Sequence, residues 1–285
     1  MDNAAEARAF LARLDSQARR STLTTHLGHV VARDWGDGPV LVLLHGGTGS
    51  WRHWARNIAP LANDCRVVAL DLPGMGDSDL PAVAVDRPAI AAAVREAIIT
   101  MLPGEVFHLA GFSFGGSIAG LLAGLAPRHV RSLTLVGPGG FGPPMASPPR
   151  QRLRHLAGEA RIAAHRANLL NLMIAEPEHV DALAIEIQEQ NTRQSRLGIL
   201  TDRTHPYLPA AFAEFAGPLN AVWGERDHFI SAHLRDRIAG LRAARPDARV
   251  QVFSGAGHWV AYEAAGHFTA WLRAHLPANA PVVRR

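Results

Sequence analysis

Mostly apolar runs of five to seven residues recur along the chain: Val40–Leu44, Arg66–Leu70, Val106–Ala110, Val130–Val136, Leu219–Gly224 and Arg249–Phe253. Their β-branched content and shortness predict strands, Leu219–Gly224 a buried one. Helical patterns separate them, notably Arg87 to Thr100 and Gly116 to Leu125, the latter stopped at Pro127. Strands alternating with helices predict an α/β fold with a mostly parallel sheet covered on both faces. Ahead of this pattern, Ala4 to Arg20 reads as an amphipathic helix, lying on the domain or mediating a dimer contact. Two further strands are expected within Leu23 to Trp35, closed by the turn sequence Gly36-Asp37-Gly38-Pro39. The rhythm breaks at Gly137-Pro138-Gly139-Gly140-Phe141-Gly142-Pro143-Pro144, after which a helical region is expected to about Ala216. This divides the chain into a core of residues 1–137, a helical cap of 138–216 and a second core part of 217–285, with a frayed tail from Pro277. The prolines after Gly137 argue against a dinucleotide site, which needs a helix N-terminus at that point.

Chemistry enters at Gly111-Phe112-Ser113-Phe114-Gly115, which follows the third of those apolar runs directly. A nucleophile between strand and helix sits in a strained turn that lifts its hydroxyl clear and leaves room beside it for little but glycine. Ser113 is therefore the candidate nucleophile. Asp227 follows the run Leu219–Gly224, and His258 follows Arg249–Phe253 within Ser254-Gly255-Ala256-Gly257. Fifteen histidines make a lone histidine uninformative, but His258 is set apart by this loop after the last strand. Glu225 is the nearest rival to Asp227. Asp71 precedes the serine, the wrong order for the acid, and reads as structural.

The order Ser113, Asp227, His258, each just past a predicted strand, resembles the α/β-hydrolase superfamily from about Val40 to Leu276. The resemblance implies the α/β-hydrolase fold, with a cap inserted after the strand that follows the nucleophile helix. It also implies an oxyanion hole from the backbone N–H of Phe114 and a glycine of His45-Gly46-Gly47-Thr48-Gly49, Gly47 being favoured over Gly46. His258 would take the Ser113 proton while Asp227 orients the imidazole, giving an acyl-enzyme that water releases. The G-x-x-D spacing of Gly224 to Asp227 favours Asp227 over Glu225.

Within the superfamily, His45-Gly46-Gly47 and Gly257-His258-Trp259 look most like the meta-cleavage product hydrolases, which split a carbon–carbon bond in vinylogous 1,5-diketones. That likeness implies a cap arginine for the substrate carboxylate, here Arg193 or Arg196, with Trp259 and Phe112 as further substrate contacts. Those hydrolases typically carry Asn before the serine, and Phe112 cannot replace its hydrogen bonds. The departure moves weight toward a serine ester hydrolase acting on a small, largely apolar ester or ketone. Carbon–carbon bond hydrolysis is the alternative, and a noncatalytic small-molecule receptor on the same scaffold is the alternative from another class. Leu169, Leu170, Leu172, Met173 and Ile174 are candidates for the cap's inner surface.

Composition removes several mechanisms. The sequence has no lysine, so all 29 basic residues are arginine, which excludes a Walker A lysine, a Schiff-base lysine and a serine–lysine dyad. The formal charge of +4 is small and the arginines are interspersed with acids, which argues against nucleic-acid binding. The single cysteine, Cys65, borders a strand and reads as a buried structural thiol. Neither a secretory leader nor a membrane span is legible, so cytoplasmic residence is the default expectation. No cofactor or metal is called for; the expected partner is a small-molecule substrate, with homodimers a family expectation.

Overall fold

The computed structural model describes residues 1, 3–141, 145–197 and 207–277. Eight strands form one sheet: β1 (Arg19–Thr25), β2 (Gly28–Trp35), β3 (Val40–Leu44), β4 (Arg66–Leu70), β5 (Phe107–Phe112), β6 (Val130–Val136), β7 (Leu219–Gly224) and β8 (Arg249–Phe253). Their order is β1-β2-β4-β3-β5-β6-β7-β8. β2 runs antiparallel to both neighbours, and every other pairing is parallel.

The helices are α1 (Ala4–Ser16), α2 (Ala55–Leu61), α3 (Arg87–Met101), α4 (Phe114–Leu125), α5 (Gly158–Leu172), α6 (Ala182–Gln194), α7 (Leu208–Ala211), α8 (Leu234–Ala244), α9 (Val260–Glu263) and α10 (Ala265–Ala274). Two apolar clusters explain why the strand runs are continuous. Val40, Val42 and Leu44 of β3 face α3 and α4 through Ile90, Val94 and Ile118. Leu41 and Leu43, pointing the other way, share a cluster with Ile58 of α2 and Phe268 and Leu272 of α10. Successive strand side chains alternate faces, so a strand covered on both sides must be apolar at every position.

The amphipathic N-terminal helix ends at Ser16, earlier than expected, and β1 starts at Arg19 rather than within Leu23 to Trp35. Arg19 and Arg20 belong to the strand because they pair in register with Asp34 and Arg33, and the Arg19 guanidinium holds the Asp34 carboxylate. α1 lies on the domain, burying Ala7, Leu11 and Leu14, and its Leu14 carbonyl accepts from Trp35 Nε1 at 2.8 Å. Beneath it, buried Arg33 ties Asp15 of α1 to Asp71 and Asp77 of the post-β4 loop. Asp71 also accepts from the Trp51 N–H, so its role is structural.

Between β6 and β7 the chain leaves the sheet, with α5, α6 and α7 in this insertion and residues 145–157 irregular rather than helical. No helix among the described residues is long and apolar enough to cross a membrane. The expected tail lies outside the described residues from 278 onward. Because β3, β5, β7 and β8 are parallel, the loops that follow them open at one edge of the sheet. Ligand sites in such sheets lie beyond the carboxyl ends of the strands.

Candidate active site

Ser113 sits between β5 and α4 with φ 51° and ψ −113°, a conformation that L residues rarely adopt. The turn is held by the Ser113 N–H, which donates to Val136 O at 2.7 Å, and by close backbone contact on both sides. A Cβ on Gly111 would lie 2.3 Å from Gly115 O, and one on Gly115 would lie 2.3 Å from His45 O. The two glycines are required by this approach rather than by their own dihedrals.

The β7 and β8 loops bring the other two residues to the serine. His258 Nε2 lies 2.9 Å from Ser113 Oγ, and His258 Nδ1 lies 2.6 Å from Asp227 Oδ2. With Asp227 ionised, Nδ1–H donates to the carboxylate, which leaves Nε2 to accept from the serine hydroxyl. Asp227 is fully buried, and its Oδ1 accepts from the Phe229 N–H at 2.9 Å, fixing the carboxylate plane. The imidazole is packed against the rings of Phe112 and Phe229, with centroids 5.0 and 4.7 Å away. Glu225 is engaged elsewhere, accepting from Ser254 Oγ and the Gly255 N–H on the surface.

The glycine loop after β3 lies alongside. Gly46 N–H donates to His53 Nδ1 at 3.2 Å, which sets it apart from Gly47 as an oxyanion donor. A Cβ on Gly46 would also meet the Phe112 ring at 2.9 Å. His45 and His53 are buried supports of this loop. His45 donates from Nδ1 to Gly46 O and accepts the Leu72 N–H on Nε2, so its ring is neutral. Burial lowers the pKa of His45, and burial together with His45 and His258 lowers that of His53 well below the ordinary histidine value.

A cavity of roughly 200 Å³ opens at Ser113 and His258, with Gly46, Gly47, His53, Met75, Phe112, Phe114, Leu172, Met173 and Phe229 among its lining. Leu172 and Met173 are thus the members of the expected inner surface that reach it, while Leu169 and Ile174 are buried in the apolar cluster beneath. Three of the expected substrate contacts require correction. Arg193 is exposed and bound to Glu189 one helical turn away, and Arg196 donates to Ser78 O; neither lines the cavity. Trp259 is fully buried, stacks on Tyr262 at 4.2 Å and donates from Nε1 to His53 O, so it supports the loop from below. Among the described residues, the arginines on the cavity wall are Arg87 and Arg150. Phe112 lines the cavity. His53 escaped the sequence reading; its one signal was its position in Trp51-Arg52-His53-Trp54, just after the glycine loop.

Two predictions arise here. Arg193→Ala should leave KM and kcat within about twofold, because an exposed i,i+4 ion pair contributes little; steady-state kinetics on any turned-over ester checks this. Stability should fall on acidification, since His45, His53 and His108 are buried, and burial pushes His108 down to about 4. A histidine whose folded pKa is depressed binds its proton more readily unfolded, so its stabilisation is full above about 6.5 and declines below it. For His108 the decline runs from about 6.5 to about 4. Thermal melts across this range should show a falling Tm, and His108→Phe should flatten part of the fall.

Comparison with known proteins agrees with the fold. The sequence pattern of the Alpha/beta hydrolase family matches residues 41–270, and the chain belongs to that family. It is 33% identical over 253 residues to the dihydrolipoyllysine-residue acetyltransferase component of the acetoin cleaving system of Pseudomonas putida, covering 84% of this chain and 64% of that protein. The chain thus spans less than two thirds of that relative. A 2-hydroxy-6-oxononadienedioate/2-hydroxy-6-oxononatrienedioate hydrolase of Paraburkholderia phymatum is 30% identical, with 81% of this chain and 85% of that protein covered. Among solved structures, a carboxylesterase of Bacillus subtilis superposes with TM-score 0.76 at 19% identity, covering 97% of this chain and 99% of that one, a likeness of fold.

Proposed function

We propose that the chain is a cofactor-independent serine hydrolase of small, largely apolar esters or ketones. The observation that carries this reading is the hydrogen-bonded series Ser113 Oγ, His258, Asp227, whose first two members line a largely apolar-walled cavity, with the serine at positive φ. His258 takes the hydroxyl proton as Ser113 Oγ attacks the acyl carbon, and buried Asp227 stabilises the imidazolium. The N–H groups of Gly47 and Phe114 meet the developing oxyanion. His258 then returns its proton to the leaving group, and water attacks the acyl-enzyme by the reverse path. The insertion carrying α5, α6 and α7 acts as the cap of residues 138–216, excluding water with Leu172 and Met173.

A second reading, hydrolysis of a carbon–carbon bond, is favoured by the 30% identical relative named for that reaction. Its substrate would carry a carboxylate, and Arg150, exposed on the cavity wall, is the residue assigned to meet it. Phe112 stands against this reading because it offers no hydrogen bond beside the nucleophile. Comparing rates on a vinylogous 1,5-diketone dienoate and a p-nitrophenyl ester of similar size, with a Ser113→Ala control, separates the two. Ester preference supports the first reading, and a large dienoate preference replaces it with the second.

A further inference from the structure

Glu263, at the end of α9, lies outside the reacting groups, yet its carboxylate gathers donors from two chain segments that meet at His258. Its side chain is 2% exposed. Oε1 accepts from the Ala175 N–H at 2.9 Å and the Glu176 N–H at 2.8 Å, and Oε2 accepts from the Gly257 N–H at 2.7 Å. His179 Nδ1 approaches Oε1 at 3.3 Å. A carboxylate is the one side chain of this size that accepts on both oxygens, as three inward-pointing backbone donors demand.

The two segments so joined are the wall of the cavity and the loop of the base. Met173 lines the cavity, and its carbonyl accepts from the Trp259 N–H at 2.7 Å. Gly257, between the two hydrogen bonds, has no room for a side chain: a Cβ there would lie 2.7 Å from Ala175 N and 2.9 Å from Met173 O. His258 is thus flanked by residues whose N–H groups are both tied, directly or through Glu263, to the segment 173–176.

We infer that Glu263 is a positioning residue for the hydrolysis, clamping the His258 loop to the cavity wall so that Nε2 stays within hydrogen-bond reach of Ser113 Oγ. The inference rests on the serine-hydrolase reading. Glu263→Gln keeps the shape but turns an amide NH2 toward a backbone donor, so at least one of the three bonds is lost and the loop loosens. Misplacing a catalytic group by a fraction of an ångström slows the chemistry without removing it.

The test is the second-order rate constant for phosphonylation of Ser113 by a small fluorophosphonate, expressed per site finally labelled. Glu263→Gln should react at least about tenfold more slowly, with kcat for p-nitrophenyl acetate falling and KM nearly unchanged. A merely structural role would lower Tm or the labelled fraction and leave the rate constant per labelled site alone; a value within twofold of wild type overturns the inference. Should Glu263→Gln fail to fold, Glu263→Asp, which keeps the charge but draws the carboxylate back from the three backbone donors, is read by the same criteria. If the folded wild type does not label at all, the serine-hydrolase reading fails and takes this inference with it. If wild type labels and Ser113→Ala does not, that reading stands, and the Glu263 result decides the positioning role alone.

Discussion

Ser113→Ala is expected to lower turnover by about a millionfold, leaving only what cavity binding and the oxyanion donors supply. The reasoning is local. In the observed arrangement His258 Nε2 has one hydroxyl to deprotonate, at 2.9 Å, and the strained Ser113 turn exists to present it. Alanine removes the oxygen without filling or emptying the core, so the fold should persist. His258→Ala should fall comparably, since the members of such a series act as a unit and their losses do not add. Steady-state assay of the purified variants, with circular dichroism to establish folding, checks both.

The second large effect is at Asp227. Asp227→Asn should lower kcat by about ten-thousandfold, although the side chain keeps its size. The Phe229 N–H, 2.9 Å from Oδ1, determines the direction of the loss. It requires an acceptor, so the asparagine oxygen turns toward Phe229 and the amide NH2 turns toward His258 Nδ1. That nitrogen must then accept, its proton moves to Nε2, and Nε2 can no longer take the serine proton. A buried carboxylate that stabilised the imidazolium is lost at the same time. A kcat within tenfold of wild type would remove Asp227 from the mechanism.

Much of this architecture is legible in the sequence, because central parallel strands such as β3 and β7, buried on both faces, leave short continuous apolar runs, while the partly buried edge strand β8 is marked by the alternation of Val250 and Val252 with polar neighbours. Val40–Leu44, Arg66–Leu70, Val130–Val136, Leu219–Gly224 and Arg249–Phe253 coincide with strands to the residue. The exposed edge was harder: Arg19 and Arg20 continue the polar pattern of α1, and only pairing with β2 draws them into a strand. Ser113, Asp227 and His258 were readable because each follows a strand and the elbow demands glycines. What surrounds them was not. Arg193 and Arg196 have the chemistry to hold a carboxylate, but whether a side chain of α6, or of the residues just after it, meets the cavity depends on packing. His53 and Glu263 bond almost entirely to backbone N–H groups, and a backbone partner leaves no residue type to find in the chain.

The central claim is that Ser113 is a nucleophile activated by His258. Its most direct test is to treat the folded protein with an excess of a fluorophosphonate, then measure intact mass and map the modified peptide. The account predicts one adduct per chain, on Ser113, and none in His258→Ala over the same time. A folded protein that gains no adduct, or gains one elsewhere while Ser113 stays free, would contradict it and turn attention to ligand binding without catalysis.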